Sequence, residues 1–394
     1  MKKENILILL MAAVQFTHIV DFVIMMPLGP QLMRNLNINP TQFGIVVSSY
    51  TFSAAISAII GAFFLDKYNR KTAILFLYIG FIIGTLFCGL SSNYEILVAA
   101  RIFTGAFGGL LGSLVLSIVA DAVPPQERGK AIGIVMGAFS LASVIGIPLG
   151  LMIANYYSWN VPFYFVSALG SIIAIFIFYY MKDMKNHIVT SNSEKWHSIV
   201  SKILNSKNQR NGLLLTFLLM SGHYTVISFL SPYMVSNVGF SEKQLSLIYL
   251  IGGFVTFFTS PIIGKYSDKF GKVKVFTFFS ILIIPMILIV TNLPQISVAI
   301  ALTLTTILFI IIGGRVIPAT ATVTSTVEPS QRGSFMAFNS AIQQLGSGFA
   351  AFTAGAIVFK NESGIYENFN YVGFLAVAIN IVAIIIISKI KLKE

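Results

Sequence analysis

Charge is what this sequence lacks most. Asp, Glu, Lys and Arg together make up 10% of its 394 residues, where a soluble domain carries about a quarter. So thin a charged complement excludes a protein with a large aqueous surface. Cysteine is nearly missing as well: Cys88 stands alone, inside an apolar run, so no disulfide can form within the chain. Tryptophan is reduced to 2 residues against 34 Phe. No group of His, Cys, Asp and Glu has metal-ligand spacing, and there is neither a nucleophile elbow nor a phosphate-binding glycine loop. A metal, a cofactor and an enzymatic centre are therefore not expected.

What the chain has instead is apolar length. Hydrophobic residues reach 56%, and the mean hydropathy is +0.84. Twelve runs of roughly the ~20 residues that a bilayer core requires fall at 6–33, 42–65, 72–91, 95–121, 129–154, 161–181, 211–237, 243–264, 274–291, 295–321, 333–358 and 369–388. The expected fold class is an all-α integral membrane protein of twelve transmembrane helices. The start, "MKKENILILLMAAVQF", looks like a signal peptide. Its apolar run continues past residue 24 without a small-residue cleavage site, so it is expected to be a retained first span.

A net charge of +12 would suit a polynucleotide binder if it were clustered. It is distributed by side instead. Of 26 Lys and Arg, 21 lie in segments that share a side with both termini, 3 (Arg34, Lys243, Lys360) lie in the opposite loops, and Arg101 and Arg315 lie inside spans. Basic residues accumulate on the cytoplasmic side. Both termini are therefore expected in the cytoplasm, and no nucleic-acid partner is expected.

The longest polar connection, 182–210, divides the chain into an N-terminal six-helix half (1–181) and a C-terminal one (211–394). Within it, "EKWHSIVSKILNSK" sets Trp196, Ile199, Val200, Ile203 and Leu204 at helical spacing. That segment is either a helix on the cytoplasmic membrane surface or a partly disordered tether. The halves echo each other. "LDKYNRK" follows span 2 and "SDKFGKVK" follows span 8, while "PPQERGKAIG" follows span 4 and "EPSQRGSFMA" follows span 10. Arg128 aligns with Arg332 at an offset of 204, and Asp66 with Asp268 at 202. Duplicated six-span halves are the mark of a transporter whose site lies between them.

These residues carry a resemblance to the major facilitator superfamily over the whole length, and within it to the twelve-span drug:proton antiporter branch and to bacterial arabinose- or sugar-efflux permeases. The loop 2–3 motif Gly-x-x-x-Asp-Arg-x-Gly-Arg-Lys stands here as "AFFLDKYNRK", matching at Asp66, Arg70 and Lys71, with Ala62, Lys67 and Asn69 departing from it. The second half repeats it as "GKYSDKFGK", with Gly264, Asp268 and Gly271. The span 4 motif Arg-x-x-x-Gly is "RIFTG", from Arg101 to Gly105. The span 5 antiporter motif keeps Gly137, Gly146, Pro148 and Gly150 in "GAFSLASVIGIPLG", but Ile147 breaks its Gly-Pro. The first-span Asp followed by Pro is Asp21 to Pro27.

Ionisable groups inside a bilayer cost at least ~2.5–3.5 kcal/mol each by insertion scales, so each needs a partner or a task. Five are present: His18, Asp21, Arg101, His223 and Arg315. Counted at ~1.5 Å per helical residue, Asp21 lies about 8 Å from the outer edge of a ~30 Å core, and Arg101 about 9 Å from the same edge. An Asp21–Arg101 contact is therefore expected, in agreement with the span 1–span 4 contact that the resemblance implies. Such a pair either binds and releases a proton as water access alternates, with His18 relaying it, or locks two helices together. Gln15, His223, Tyr224, Arg315, Asn339, Gln343 and Gln344 supply the polar groups of a substrate cavity, or else serve as interhelical glue. His223 and Arg315 have structural alternatives of their own, as a satisfied bundle histidine and a partner to backbone carbonyls. Asp66 near the start of span 11, the Arg70–Asp121 pair and Asp268 near Gly129 are expected to gate the cytoplasmic rim, or to act only as topological charge. The resemblance implies that the span 5 glycines and Pro148 seal a proton leak.

The expected function is proton-coupled export of a small organic molecule by a monomer in the bacterial cytoplasmic membrane. The alternative is an uncoupled facilitator or importer. The expected partners are the substrate, protons and the lipid bilayer.

Overall fold

The computed structural model describes residues 3–61, 67–124, 126–185, 201, 203, 205–327 and 332–391. Among them the chain is helical but for one short hairpin. The helices are α1 (Lys3–Ile24), α2 (Gly29–Asn35), α3 (Pro40–Gly61), α4 (Arg70–Leu90), α5 (Tyr94–Ala122), α6 (Arg128–Leu141), α7 (Ile147–Tyr156), α8 (Val161–Tyr180), α9 (Lys207–Tyr233), α10 (Glu242–Phe270), α11 (Lys272–Val290), α12 (Val298–Thr324), α13 (Arg332–Ile357) and α14 (Phe369–Ser388). Eleven continuous helices are long and apolar enough to cross a membrane, with α6 and α7 counting as one. The twelfth spanning helix is α13, made more polar by Asn339, Gln343 and Gln344. Strands β1 (Phe359–Lys360) and β2 (Tyr366–Glu367) pair antiparallel between α13 and α14.

Short polar residues set where several helices begin. Asn69, Asn93, Ser206, Ser241 and Ser297 each accept a hydrogen bond from a backbone N–H of the first turn of α4, α5, α9, α10 and α12. An N-cap of this kind satisfies a donor that the helix itself leaves open. Proline interrupts two of the runs. The first span ends at Ile24, well short of the expected residue 33, because Pro27 and Pro30 divide the run and Pro30 opens α2. A π-helical turn at Ala142–Gly146 separates α6 from α7, just before Pro148. Pro148 has no N–H and its ring crowds the carbonyl four residues back, and the wider turn relieves that crowding.

The two halves pack closely on the face away from the termini, and among the described residues the start of α6, on the face that holds the termini, has open space beside it. On the far face, α3 packs on α13 with no room for a side chain at Gly44 or Gly355. A Cβ on Gly44 would lie 2.8 Å from the Ala351 carbonyl oxygen and 3.0 Å from Gly355 Cα. Thr41 donates to the Gly355 carbonyl at 3.0 Å, Asn155 donates to the Glu242 carbonyl at 3.2 Å, and Arg34 pairs with Glu242 across the halves. On the terminal face, a Cβ at Gly129, Gly133 or Gly137 would meet nothing within 4 Å. A cavity of about 570 Å³ opens there between the start of α11 and the end of α12.

Gly44→Val is expected to force the far face apart. Overpacking costs about 1–3 kcal/mol, enough to move a two-state equilibrium by about tenfold. Labelling of a Thr41→Cys probe by an impermeant maleimide, in a Cys88→Ser background, should then rise by about that factor.

Candidate functional site

The site is built from the first half outward. α1 carries Asp21 one turn from its end, and α5, running the other way, carries Arg101 in its second turn. Arg101 Nη1 donates to Asp21 Oδ2 at 3.0 Å, and both side chains have no exposed surface. The expected contact is thus present in the structure. A buried ion pair is costly unless further polar contacts support it. Thr85 stands beside the Asp21 carboxylate and Cys88 beside the Arg101 guanidinium.

Tyr50 of α3 completes the cluster, and the sequence reading missed it. Arg101 Cζ lies 4.3 Å from the centre of its ring, a cation–π contact in a dry site. The Tyr50 hydroxyl hydrogen-bonds His18 Nε2 at 3.0 Å, and His18 Nδ1 has no partner. Only Tyr50's place amid the apolar stretch of α3 hinted at such a role. Gly105 brings α5 against α3 here: a Cβ would lie 2.3 Å from the Tyr50 carbonyl oxygen. The glycine of the Arg-x-x-x-Gly motif is therefore what lets Arg101 lie over the Tyr50 ring.

From Tyr50 an aromatic ladder crosses to the second half. Its ring stacks on Phe22 at 5.4 Å, Phe22 meets Tyr224 of α9 at 5.8 Å, and Tyr224 meets His223 at 4.8 Å. His18 and Pro27 recur as His223 and Pro232 at an offset of 205. The ion pair does not recur. Asp21 falls on Val226 at that offset, and Arg101 falls on Thr305 at 204.

The other expected polar groups divide. Gln15 is half-buried with Oε1 unpaired. Asn339 and Gln343 line one small cavity with Thr216 and Thr320, although Asn339 is buried and accepts a bond from Thr216 at 2.7 Å. Gln344 is half-buried beside them on α13. Arg315 does not stand free in a cleft as a substrate cavity would require: it is buried, with Nε donating to Ser280 of α11 at 3.2 Å. Ser280, and Asn380 which donates to the Ser280 carbonyl at 2.7 Å, were not foreseen, because apolar flanks conceal single polar residues.

At the rim, Arg70 Nε donates to Asp121 Oδ2 at 2.9 Å. Arg128 caps its own turn by donating to the Val123 carbonyl at 3.0 Å. Asp268 is exposed and makes no ion pair among the described residues, and Gly129 has open space beside it. The expected approach of Asp268 to Gly129 is therefore not found among the described residues. Asp66, the side chain of Arg332, and Trp196, Ile199, Val200 and Leu204 of the linker lie outside the described residues. In span 5, Gly146 and Gly150 pack on Val20 and Ile24 of α1, whereas Gly137 faces open space.

Solved structures share this architecture. A D-xylose-proton symporter aligns over 98% of this chain and 97% of its own, at TM-score 0.80 and 15% identity. The nucleoside transporter NupG aligns over 99% and 100%, at TM-score 0.78 and 13% identity. In sequence, the uncharacterized MFS-type transporter YtbD of Bacillus subtilis (strain 168) is 28% identical over 269 residues, which are 67% of this chain and 66% of that protein. YhcA of the same organism, also an uncharacterized MFS-type transporter, is 24% identical over 318 residues, and the match spans 68% of this chain and 60% of YhcA. The family profile itself matches residues 11–351 and again 213–390. With twelve spanning helices in two packed halves and that match along nearly its whole length, the chain belongs to the Major Facilitator Superfamily.

Proposed function

We propose that this protein is a secondary active transporter that exports a small organic molecule in exchange for protons. One observation carries the proposal: a carboxylate and a guanidinium, neither with any exposed surface, meet at 3.0 Å inside a membrane-spanning bundle. Charge buried there is costly enough to need a partner or a task, and a carboxylate beside a fixed cation has both, since it can gain and lose a proton. Asp21 takes up a proton when the far face opens and releases it when the terminal face opens, at which point Arg101 holds the anion. His18, tied to Tyr50, stands ready to relay the proton.

Coupling needs a contiguous element that both sites bias. The ladder Tyr50, Phe22, Tyr224 and His223 runs from the pair to the second half, so a shift of Arg101 over Tyr50 reaches the residues that would line a substrate cavity. Under the proposed topology, with both termini in the cytoplasm, the open face is the inner one, from which an exporter loads. Asp66, Arg70, Asp121, Arg128, Asp268 and Arg332 then serve as the rim that closes for the outward state. The two six-helix halves, joined through 182–210, rock about the α3–α13 and α7–α10 contacts.

The test is proton flux. In proteoliposomes holding a pH-sensitive dye, addition of a transported substrate should move protons opposite to it, with the protein alone giving none. Substrate equilibration without any proton movement would instead favour an uncoupled facilitator.

A further inference from the structure

The first half ties its terminal end with an ion pair that the second half does not repeat. α4 begins at Arg70, whose Nε donates to Asp121 Oδ2 at 2.9 Å near the end of α5. At the offset of 202 that aligns Asp66 with Asp268, Arg70 becomes Lys272, the first residue of α11. At the offset of 204 that aligns Arg128 with Arg332, Asp121 becomes Ser325, just past the end of α12. The cation is kept, and the anion is replaced by a hydroxyl.

Where the first half has a bonded pair, the second has space. The cavity of about 570 Å³ opens at that corner, and both Lys272 and Ser325 line it. Thr320 and Thr324 add two more hydroxyls, Val316 and Ile317 add an apolar wall, and the lining contains no acid. Lys272 is half-buried and makes no ion pair among the described residues, and neither does Asp268, the nearest described acid in sequence. Thr324 donates to the Thr320 carbonyl at 2.8 Å, and Ser325 to the Thr322 carbonyl at 2.7 Å. The exposed Thr320 hydroxyl makes no hydrogen bond among the described residues, so its proton can go to a ligand. A partly desolvated ammonium costs free energy until it is paired, and a cleft lined by one sign of charge concentrates ligands of the other.

The lining selects the anion. A carboxylate is matched best by the planar fork of an arginine, and no arginine lines this cavity. A lysine binds phosphate as a compact point charge, and hydroxyls donate to phosphate oxygens. The level of the cavity fits as well. Exposed Phe270, Phe278, Lys269 and Lys274 surround the start of α11, with Lys269 Nζ 5.3 Å from the Phe270 ring centre. Aromatic and basic side chains gather where a membrane meets water. We infer that the corner between α11 and α12 is a phosphate site, filled by a phospholipid headgroup or by a phosphate in solution, and that this anion holds the second half where Asp121 holds the first. The inference needs neither export nor proton coupling.

The experiment is thermal unfolding of the purified full-length protein in neutral detergent and phosphate-free buffer, with affinities taken from the rise of Tm with probe concentration. Two matched pairs separate the sources. Phosphatidylglycerol is compared with phosphatidylcholine, whose choline cancels the phosphate charge, in mixed micelles. Glycerol 3-phosphate is compared with glycerol in solution. In at least one pair the anionic member should bind about fivefold more tightly, the gain that one lysine gives near an anionic surface. A preference in the lipid pair assigns the site to a headgroup, and one in the soluble pair to free phosphate. Lys272→Gln should erase the preference and Lys272→Arg should keep it. Lys274→Gln, which removes an equal charge outside the cavity lining, should leave it intact. Ser325→Asp should erase it from within, by restoring the acid that Arg70 has in the first half. That variant adds a partner instead of removing one, so poor folding of Lys272→Gln would not blunt the test. No preference in either pair overturns the inference. So does a preference lost equally in Lys272→Gln and Lys274→Gln, which would reduce it to the general charge of the face, or one that survives Ser325→Asp. A preference that emerges only in Glu328→Gln would assign Lys272 to an acid of the chain itself and overturn it as well.

Discussion

Asp21→Asn is expected to abolish uphill export completely while the helices stay assembled. Asn matches Asp in size and keeps an oxygen for Arg101 Nη1, now 3.0 Å from the Asp21 carboxylate. The Tyr50 ring still covers the guanidinium from 4.3 Å. What disappears is a group that can gain and lose a proton. With no proton carried per cycle, an imposed pH gradient has nothing to act on, and accumulation of substrate against its gradient should fall to the level of empty vesicles. Downhill exchange should persist, because nothing at the second half has changed. The two rates are read from the same vesicles with and without the gradient. Uphill transport by the variant would show that the coupling group lies elsewhere.

Arg101→Gln should be the most destabilising polar substitution in the first half. It strands a carboxylate at a site with no exposed surface, and breaking a buried pair from one side costs about 3–5 kcal/mol. It also empties a volume filled by one of the largest fully buried side chains of the protein and removes the cation from the Tyr50 ring. Adding Asp21→Asn removes the stranded charge and should restore about 0.5–3 kcal/mol, the range of coupling between groups in contact. Denaturant unfolding of the wild type, both single variants and the double variant closes this cycle. Strict additivity would mean that the 3.0 Å contact carries no energy of its own, and the proposed switching of the pair would fail with it.

Much of the site was legible because depth in a membrane can be counted. A helix rises a constant ~1.5 Å per residue, so two opposite charges on antiparallel spans reveal whether they lie at one level. Asp21 and Arg101 were the only such pair in the first half, and they meet. Depth alone could not show that the ring of His223 packs on Tyr224. Depth leaves rotation about the helix axis open, and rotation decides which neighbours a side chain meets. Tyr50, Ser280 and Asn380 were missed for that reason. Arg315 was counted as a cavity residue, yet it turns toward α11. The first span was read too long because apolar composition continues through Pro27 and Pro30, where the backbone does not continue as one helix.

Composition and periodicity alone determined that this chain crosses a membrane many times, in two related halves, with few buried charges. Those properties follow from the bilayer, which acts on every residue independently of its neighbours. Only the tertiary structure decided that α3 closes on α13 at the far face, that Tyr50 joins the ion pair to the other half, and that among the described residues Arg315 has no acid beside it. Each of these depends on how helices turn and cross, which is settled by side chains distant in the chain packing against one another. The glycine contacts at Gly44 and Gly105 are where that packing is tightest.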